Sequence, residues 1–479
     1  MIGDTTMYER MQLLSREDFD KIHNATLEIF RDVGVAFHEP EALEIFSGAG
    51  ARVDGNVVFI EEGLVDKALE SAPGEFQIEG RDPEKSVTIG GQNLVLAPGY
   101  GSPFMVTADG EQREAVMEDY DNFCKLVQTS KYVDMNGCLM VEPSDRPAET
   151  AHLDQVFSNF VLCDKPCLGS SVSRQAAVDS IEMAAIVWGG KEKIQDRPVI
   201  MGIISSLSPL QYSAEMAGAL IEYARHGQVS MVALLMQAGA TGPVTLPGLL
   251  AVQNAEVLAG IILAQLVNPG TPAIYGTTST ITEMRTGGLA IGAPELSMIQ
   301  NATMQMAQFY GLPSRGSGGL TDGHFPDMQA GIESTLALST TIMSGANFIL
   351  HACGILGSYI SMSFEKFLAD EELCGMLRRM LKPLDVTDER IDLPTIKEVG
   401  VGGEYLTHER TFEHCRSEFY LPALMSRMDY ESWANAGKKT LKDAATALLE
   451  KRLAEYIQPD IDSEIEKKLA EYVKNRKAE

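Results

Sequence analysis

The sequence predicts an α/β fold: a closed (β/α)8 TIM barrel with an N-terminal α+β segment and a C-terminal helical extension. Two observations carry this reading. Short apolar or β-branched runs recur at Leu94–Tyr100, Tyr132–Met140, Lys165–Ser170, Pro198–Ser206, Val229–Met236, Pro272–Ser279, Pro313–Ser317 and Asn347–Gly354, with starts 31–43 residues apart. That spacing is one strand, one helix and two loops. The runs are also apolar throughout rather than alternating, as expected of strands buried on both faces. An open doubly wound sheet shares the alternation, but eight evenly spaced units favour closure.

The connecting segments carry helix punctuation. Ser173 is placed to cap a helix that stops at Gly189. Ser208-Pro209-Leu210-Gln211 reads as a capping box with Pro at the first helical position, for a helix ending before Gly227. Pro294 opens another helix, closing at Gly311, and Pro326 the next, closing at Gly345. Leu246 to Val267 is the most apolar long stretch, but Gln253, Asn254, Glu256 and Gln265 interrupt it, so it reads as a buried helix rather than a membrane span. The expected division is 1–92 as the N-terminal segment, 93–384 as the catalytic barrel and 385–479 as the extension. The first segment carries a helix over Arg16–Val33 and β-like pieces at Val57–Ile60 and Ser86–Ile89. The extension ends in a charged helix, Ile465–Lys477, suited to wrapping the barrel or a partner subunit.

Charge and cysteines narrow the function. With 39 Lys+Arg against 67 Asp+Glu the net charge is −28, which repels phosphate backbones and anionic lipid. Nucleic-acid and membrane-surface binding are therefore not expected. Met1 to Leu14 lacks the apolar core of a leader, and seven scattered cysteines read as reduced thiols, so a cytoplasmic protein is expected.

In a TIM barrel the active site lies at the carboxyl ends of the strands. Those ends present Tyr100, Glu142, Ser170, Ser171, Ser205, Ser206, Met236, Gln237, Thr277, Thr278, Ser279, Arg315, Ser317, His351 and Cys353, with Tyr359 just beyond. No Lys is among them, which argues against a Schiff-base aldolase. His351 and Cys353 share a face, but zinc needs three or four ligands, so no metal is expected. Arg315 within an apolar strand calls for an anion: a ligand carboxylate or phosphate, or a barrel acid such as Glu142, Glu283 or Asp322. His351 reads either as a hydrogen-bonded core residue or as part of a site. Gly316, Gly318 and Gly319 form a glycine-rich turn of the kind that binds phosphate, although Asp322 and Asp327 oppose an anion there. Tyr100 and Tyr359, with Phe104 and Phe364 nearby, are either core or a cage for a cation.

Four stretches carry a resemblance: L-V-L-A-P-G-Y-G at 94–101, S-R-G-S-G-G-L-T-D-G-H-F-P-D-M-Q-A-G at 314–331, H-A-C-G-I-L-G-S-Y-I-S-M-S-F-E-K-F-L-A-D-E-E-L at 351–373, and V-G-G-E-Y-L-T-H-E-R-T at 401–411. Together they resemble the trimethylamine methyltransferase family. The resemblance implies an eight-stranded barrel that passes a methyl group from a methylamine to Co(I) of a separate corrinoid protein. Trimethylamine enzymes carry pyrrolysine near the run after strand seven. Here that run holds only ordinary residues, which resembles the non-pyrrolysine branch that demethylates quaternary amines such as glycine betaine to dimethylglycine. A longer betaine (carnitine, γ-butyrobetaine, proline betaine), a non-catalytic betaine-binding barrel and a phosphate-using lyase are the alternatives.

On that resemblance, Arg315 and His351 hold the substrate carboxylate, and Tyr100, Tyr359 and Phe364 face the trimethylammonium. Gly316, Gly318 and Gly319 face the corrinoid. The expected partners are a cognate corrinoid protein, which supplies the cobalamin, and a second copy of the chain. No metal or permanently bound cofactor is expected.

Overall fold

The computed structural model describes residues 10–195 and 197–478. The first nine residues, part of the stretch read as lacking a leader core, lie outside the described residues. All eight expected runs fall in one barrel. Seven form a wholly parallel sheet, in spatial order strand one (Val95–Leu96), eight (Phe348–Leu350), seven (Ser314–Ser317), six (Ala273–Thr277), five (Val229–Leu234), four (Ile200–Ile204) and three (Cys167–Leu168). The second run is too irregular to count as a strand, yet it closes the ring. The Leu96 carbonyl accepts the Asp134 and Met135 amides at 2.8 and 3.2 Å. On the other side Asn136 bridges Cys167 in parallel, and its carbonyl accepts the Leu168 amide at 3.1 Å. The Asp134 carboxylate stands in for a missing ladder bond by accepting the Leu96 amide at 2.8 Å.

The helix over Leu246–Val267 shows why its sequence is apolar on every side. It is sandwiched between strand five and the helices Arg16–Asp32 and Glu62–Ser71, so it lacks a wet face. Its interrupting polar residues are all satisfied. Gln253 bonds Thr277 and Thr303, Asn254 bonds Thr26, Tyr275 and Tyr310, and Gln265 reaches Ser71 and Thr271. The Glu256 carboxylate accepts from Ser206, Ser208 and the Leu210 amide.

That last contact corrects the expected capping box. The Ser208 hydroxyl goes to Glu256 at 2.7 Å instead of capping a helix. Gln211–Tyr212 is a strand, and the helix starts at Ala214 with Ser213 as its cap. The helix expected from Pro326 likewise starts later, at Met328, capped by Asp327. The Ser173 cap, the Gly189 stop and the Pro294 start are as read.

The flanks hold to the barrel. Val35–Phe37 pairs in parallel with Gln211–Tyr212, and the Phe37 ring stacks on Tyr212 at 5.0 Å and 4°. At the other end, helix Leu441–Ala454 packs on helices Met117–Thr129 and Phe364–Leu381, while Ser463–Arg476 lies against Ala151–Leu162 and Arg174–Trp188. Tyr472 and Arg476 both donate to the buried carboxylate of Asp179 at 2.8 Å.

Candidate active site

Strands six, seven and eight build the centre of the site. Gly276 on strand six is in register with Arg315 on strand seven. A Cβ at Gly276 would lie 2.8 Å from Arg315 Cβ and 3.0 Å from its Cδ, so the arginine lies flat over the glycine. Arg315 is completely buried. Its guanidinium donates to the Thr277 carbonyl and, at 3.3 Å, to His351 Nδ1, while Nε has no partner. None of the three acids considered from sequence pairs with it. Glu283 lies on an exposed hairpin with Arg285, Asp322 accepts the Ile291 and Gly292 amides, and Glu142 lines a cavity at the mouth. Among the described residues no carboxylate forms an ion pair with Arg315. Burial pushes its guanidinium down to about 10, the response of a cation taken out of water without a counter-charge.

His351 follows strand eight in a left-handed conformation, φ 60°, and is 4% exposed. Burial, reinforced by the adjacent Arg315 charge, holds its imidazole well below the usual histidine range. It is therefore neutral at neutral pH, with Nδ1 accepting from Arg315 and 3.4 Å from Ser317 Oγ. Through Nδ1 it orients the arginine fork.

Two aromatic rings flank the imidazole, Tyr359 at 4.9 Å between centroids and Tyr100 at 6.5 Å. Tyr359 also has positive φ, 75°. Its hydroxyl meets Thr278 Oγ1 at 2.5 Å, which in turn accepts from Ser317 Oγ at 3.1 Å. Burial raises both tyrosines' hydroxyls above their ordinary range, so both stay protonated. Non-glycine residues at positive φ are uncommon, and they gather where a site demands a fixed side-chain direction.

Two expectations are corrected. Phe364 opens helix Phe364–Leu381 and packs against Phe123 with ring centroids 4.5 Å apart, in the layer between two outer helices. It belongs to the core there and not to the rings around His351. Gly316, Gly318 and Gly319 are buried. A Cβ would strike Thr341 Cγ2 at 2.5 Å, Leu338 Cδ1 at 2.8 Å and the Ala352 carbonyl at 2.7 Å, respectively. They let strand seven and its turn approach the helices and strand eight closely, and do not face the mouth. Asp322 and Asp327, spent on backbone amides and on Ser358, serve the fold.

Residues the sequence reading left out of the site are Gly276, Thr277, Thr278 and Ser317. The last three stood among the strand ends, whereas Gly276 is signalled only by a glycine inside a barrel strand, a mark of close approach. A cavity of about 530 Å³ opens at the same end of the barrel, lined in part by Phe104, Leu139, Glu142, His152 and Ser170.

Fold and site together define a parallel barrel enzyme scaffold with a buried arginine at its strand ends. The chain belongs to the trimethylamine methyltransferase (MTTB) family, whose model matches residues 4–479. It is 43% identical over 467 residues to a glycine betaine methyltransferase of Desulfitobacterium hafniense (strain Y51), covering 98% of this chain and 97% of that protein. A proline betaine:corrinoid methyltransferase of Eubacterium limosum is 35% identical over 461 residues, 94% of each chain. Among solved structures, the Methanosarcina barkeri monomethylamine methyltransferase matches with a TM-score of 0.54 over 94% of this chain and 90% of that one; at 12% identity this is a likeness of fold.

Proposed function

We propose that this protein transfers a methyl group from glycine betaine to the cobalt of a corrinoid carried by a partner protein, releasing dimethylglycine. The observation that carries the reading is Arg315, buried among strand ends with Nε unpartnered and, among the described residues, no carboxylate in an ion pair with it. Removing one partner of a buried ion pair costs about 3–5 kcal/mol, so a protein that keeps a lone buried cation is arranged for an anion from outside. A betaine carboxylate matches the planar fork. His351, neutral and accepting from Arg315, fixes which N–H groups point outward.

The Tyr100 and Tyr359 rings beside His351 suit the trimethylammonium, each cation–π contact being worth roughly 0.5–2 kcal/mol when desolvated. The acceptor supplies a strong nucleophile that takes the methyl carbon. The pair of the broken C–N bond stays on nitrogen, and a neutral tertiary amine leaves without a proton. The chain's own task is then to hold one N-methyl in line and exclude water. Neither a general acid nor a resident metal or cofactor enters this scheme. The barrel over 93–384 is taken as the catalytic unit, with the corrinoid protein docking on its mouth, in a cytoplasmic homo-oligomer.

The test is incubation with glycine betaine and reduced cobalamin, with L-carnitine, γ-butyrobetaine and proline betaine in parallel. Methylcobalamin and dimethylglycine in equal amounts are expected from glycine betaine. Turnover of another betaine alone would reassign the substrate, and no methylcobalamin with any of them would overturn the reading.

A further inference from the structure

The carboxylates around the barrel mouth fall into two groups. Asp322 is held by two amides and Ser358, Asp327 caps a helix, Glu333 accepts from Thr321 and the Asp322 amide, and Glu256 accepts three donors. Each is spent on the fold. Glu142 and Glu114 are not: both line the 530 Å³ cavity, and among the described residues neither side-chain carboxylate has a hydrogen bond or ion pair; of the two, Glu142 follows the end of strand two, beside the turn after Tyr100.

Glu142 is exposed, and the backbone that carries it is tied to both site tyrosines. The Glu142 amide donates to the Ser102 carbonyl at 3.0 Å, and the Gly101 amide to the Leu139 carbonyl at 2.6 Å. Ser102 and Val141 form a parallel bridge, and Ser102 Oγ donates to the Tyr359 carbonyl at 2.9 Å. Glu142 therefore stands next to the strand end that carries Tyr100. Burial chiefly raises the Tyr100 hydroxyl, with Cys138 and then Glu142 adding to it.

A betaine is a zwitterion, and an anion on the ammonium side adds to the tyrosine rings what a cation adds on the carboxylate side. Arg315 supplies the cation at depth. We propose that Glu142 is the specificity-determining carboxylate that faces the quaternary ammonium, distinguishing a zwitterion from a plain carboxylate of the same shape. This assignment rests on the betaine reading of Arg315 and extends it to the other end of the ligand. Glu142 keeps contact with solvent, so its effect is partly screened and smaller than that of the sealed arginine.

Calorimetric titration of the full-length protein with glycine betaine and with 3,3-dimethylbutanoate tests this, since the second ligand has carbon in place of the charged nitrogen. Glu142→Gln is expected to weaken glycine betaine about tenfold and to change 3,3-dimethylbutanoate less than twofold. Arg315→Met is expected to weaken both. Equal loss for both ligands in Glu142→Gln, or no loss for glycine betaine, overturns the assignment while leaving the Arg315 reading in place. A wild-type protein that binds neither ligand overturns both.

Discussion

Arg315 and Lys366 are buried cations behind neighbouring turns of one barrel end, and they are treated in opposite ways. Lys366, 2% exposed, reaches both oxygens of Asp370 at 2.6 and 2.5 Å and also donates to Ser334 Oγ and the Gly319 carbonyl. Asp370 in turn accepts the Gly354 amide at 2.8 Å. That pair pins the turns after strands seven and eight to the helix behind them. Arg315, fully buried, has a carbonyl and a neutral imidazole as partners and no carboxylate. A completed ion pair serves the fold. An incomplete one marks where the ligand supplies the missing charge.

Four changes test that contrast, taken from the largest expected effect to the smallest. Lys366→Met strands the Asp370 charge and should cost about 3–5 kcal/mol in urea unfolding. Pairing it with Asp370→Leu should recover most of the loss, and a double variant as unstable as the single one would mean that the bonds to the turns, not the charge balance, carry the stability. Arg315→Met should do the reverse: the melting temperature holds or rises, while kcat/KM for glycine betaine falls about a hundredfold, or about 2.7 kcal/mol. Collapse of the fold in that variant would make Arg315 structural.

Gly276→Val is expected to raise KM about tenfold, about 1.4 kcal/mol, because a side chain there displaces the arginine it lies under. Initial rates read this, and an unchanged KM would show that Arg315 does not need the gap.

The smallest effect is on pH dependence. Arg315 titrates at about 10 in the folded protein against 12.5 ordinarily, so the unfolded chain binds more protons across that window. Folding stability from this group therefore rises as pH climbs from about 10 and carries a constant penalty below it. A bound carboxylate offsets the penalty while the guanidinium is charged. The gain in melting temperature on adding glycine betaine should hold up to about pH 9 and shrink above about pH 10. A gain independent of pH across that range would place the carboxylate elsewhere.

Much of the barrel was legible because burial on both faces leaves a strong trace in apolar runs, and the ends of those runs named Arg315, His351, Tyr100 and Tyr359. What was illegible has physical causes. A glycine that permits close packing and a glycine that cradles an anion read alike, so Gly316, Gly318 and Gly319 looked like a ligand loop. Phe364 stands five residues after Tyr359 in the sequence, but the helix it opens turns it onto Phe123. Ser208 was read as a cap because its true partner, Glu256, is 48 residues further on. The charge state of His351 depended on a neighbour and a depth of burial that no local pattern records.

The irregular second strand has one more consequence, for where this ring yields. Strands five and six share five registered pairs, Ser230–Leu234 with Ala273–Thr277, whereas strand two is held by one isolated bridge at Asn136, four backbone bonds to its two neighbours and the Asp134 side chain. Local opening follows the weakest cooperative unit, so the amide protons of Asn136 and Leu168 should exchange with solvent well before those of Met231 and Tyr275. The same run continues to Leu139 and Glu142, which line the cavity. If glycine betaine spans Glu142 and Arg315 as proposed, adding it should slow deuterium uptake over residues 134–142.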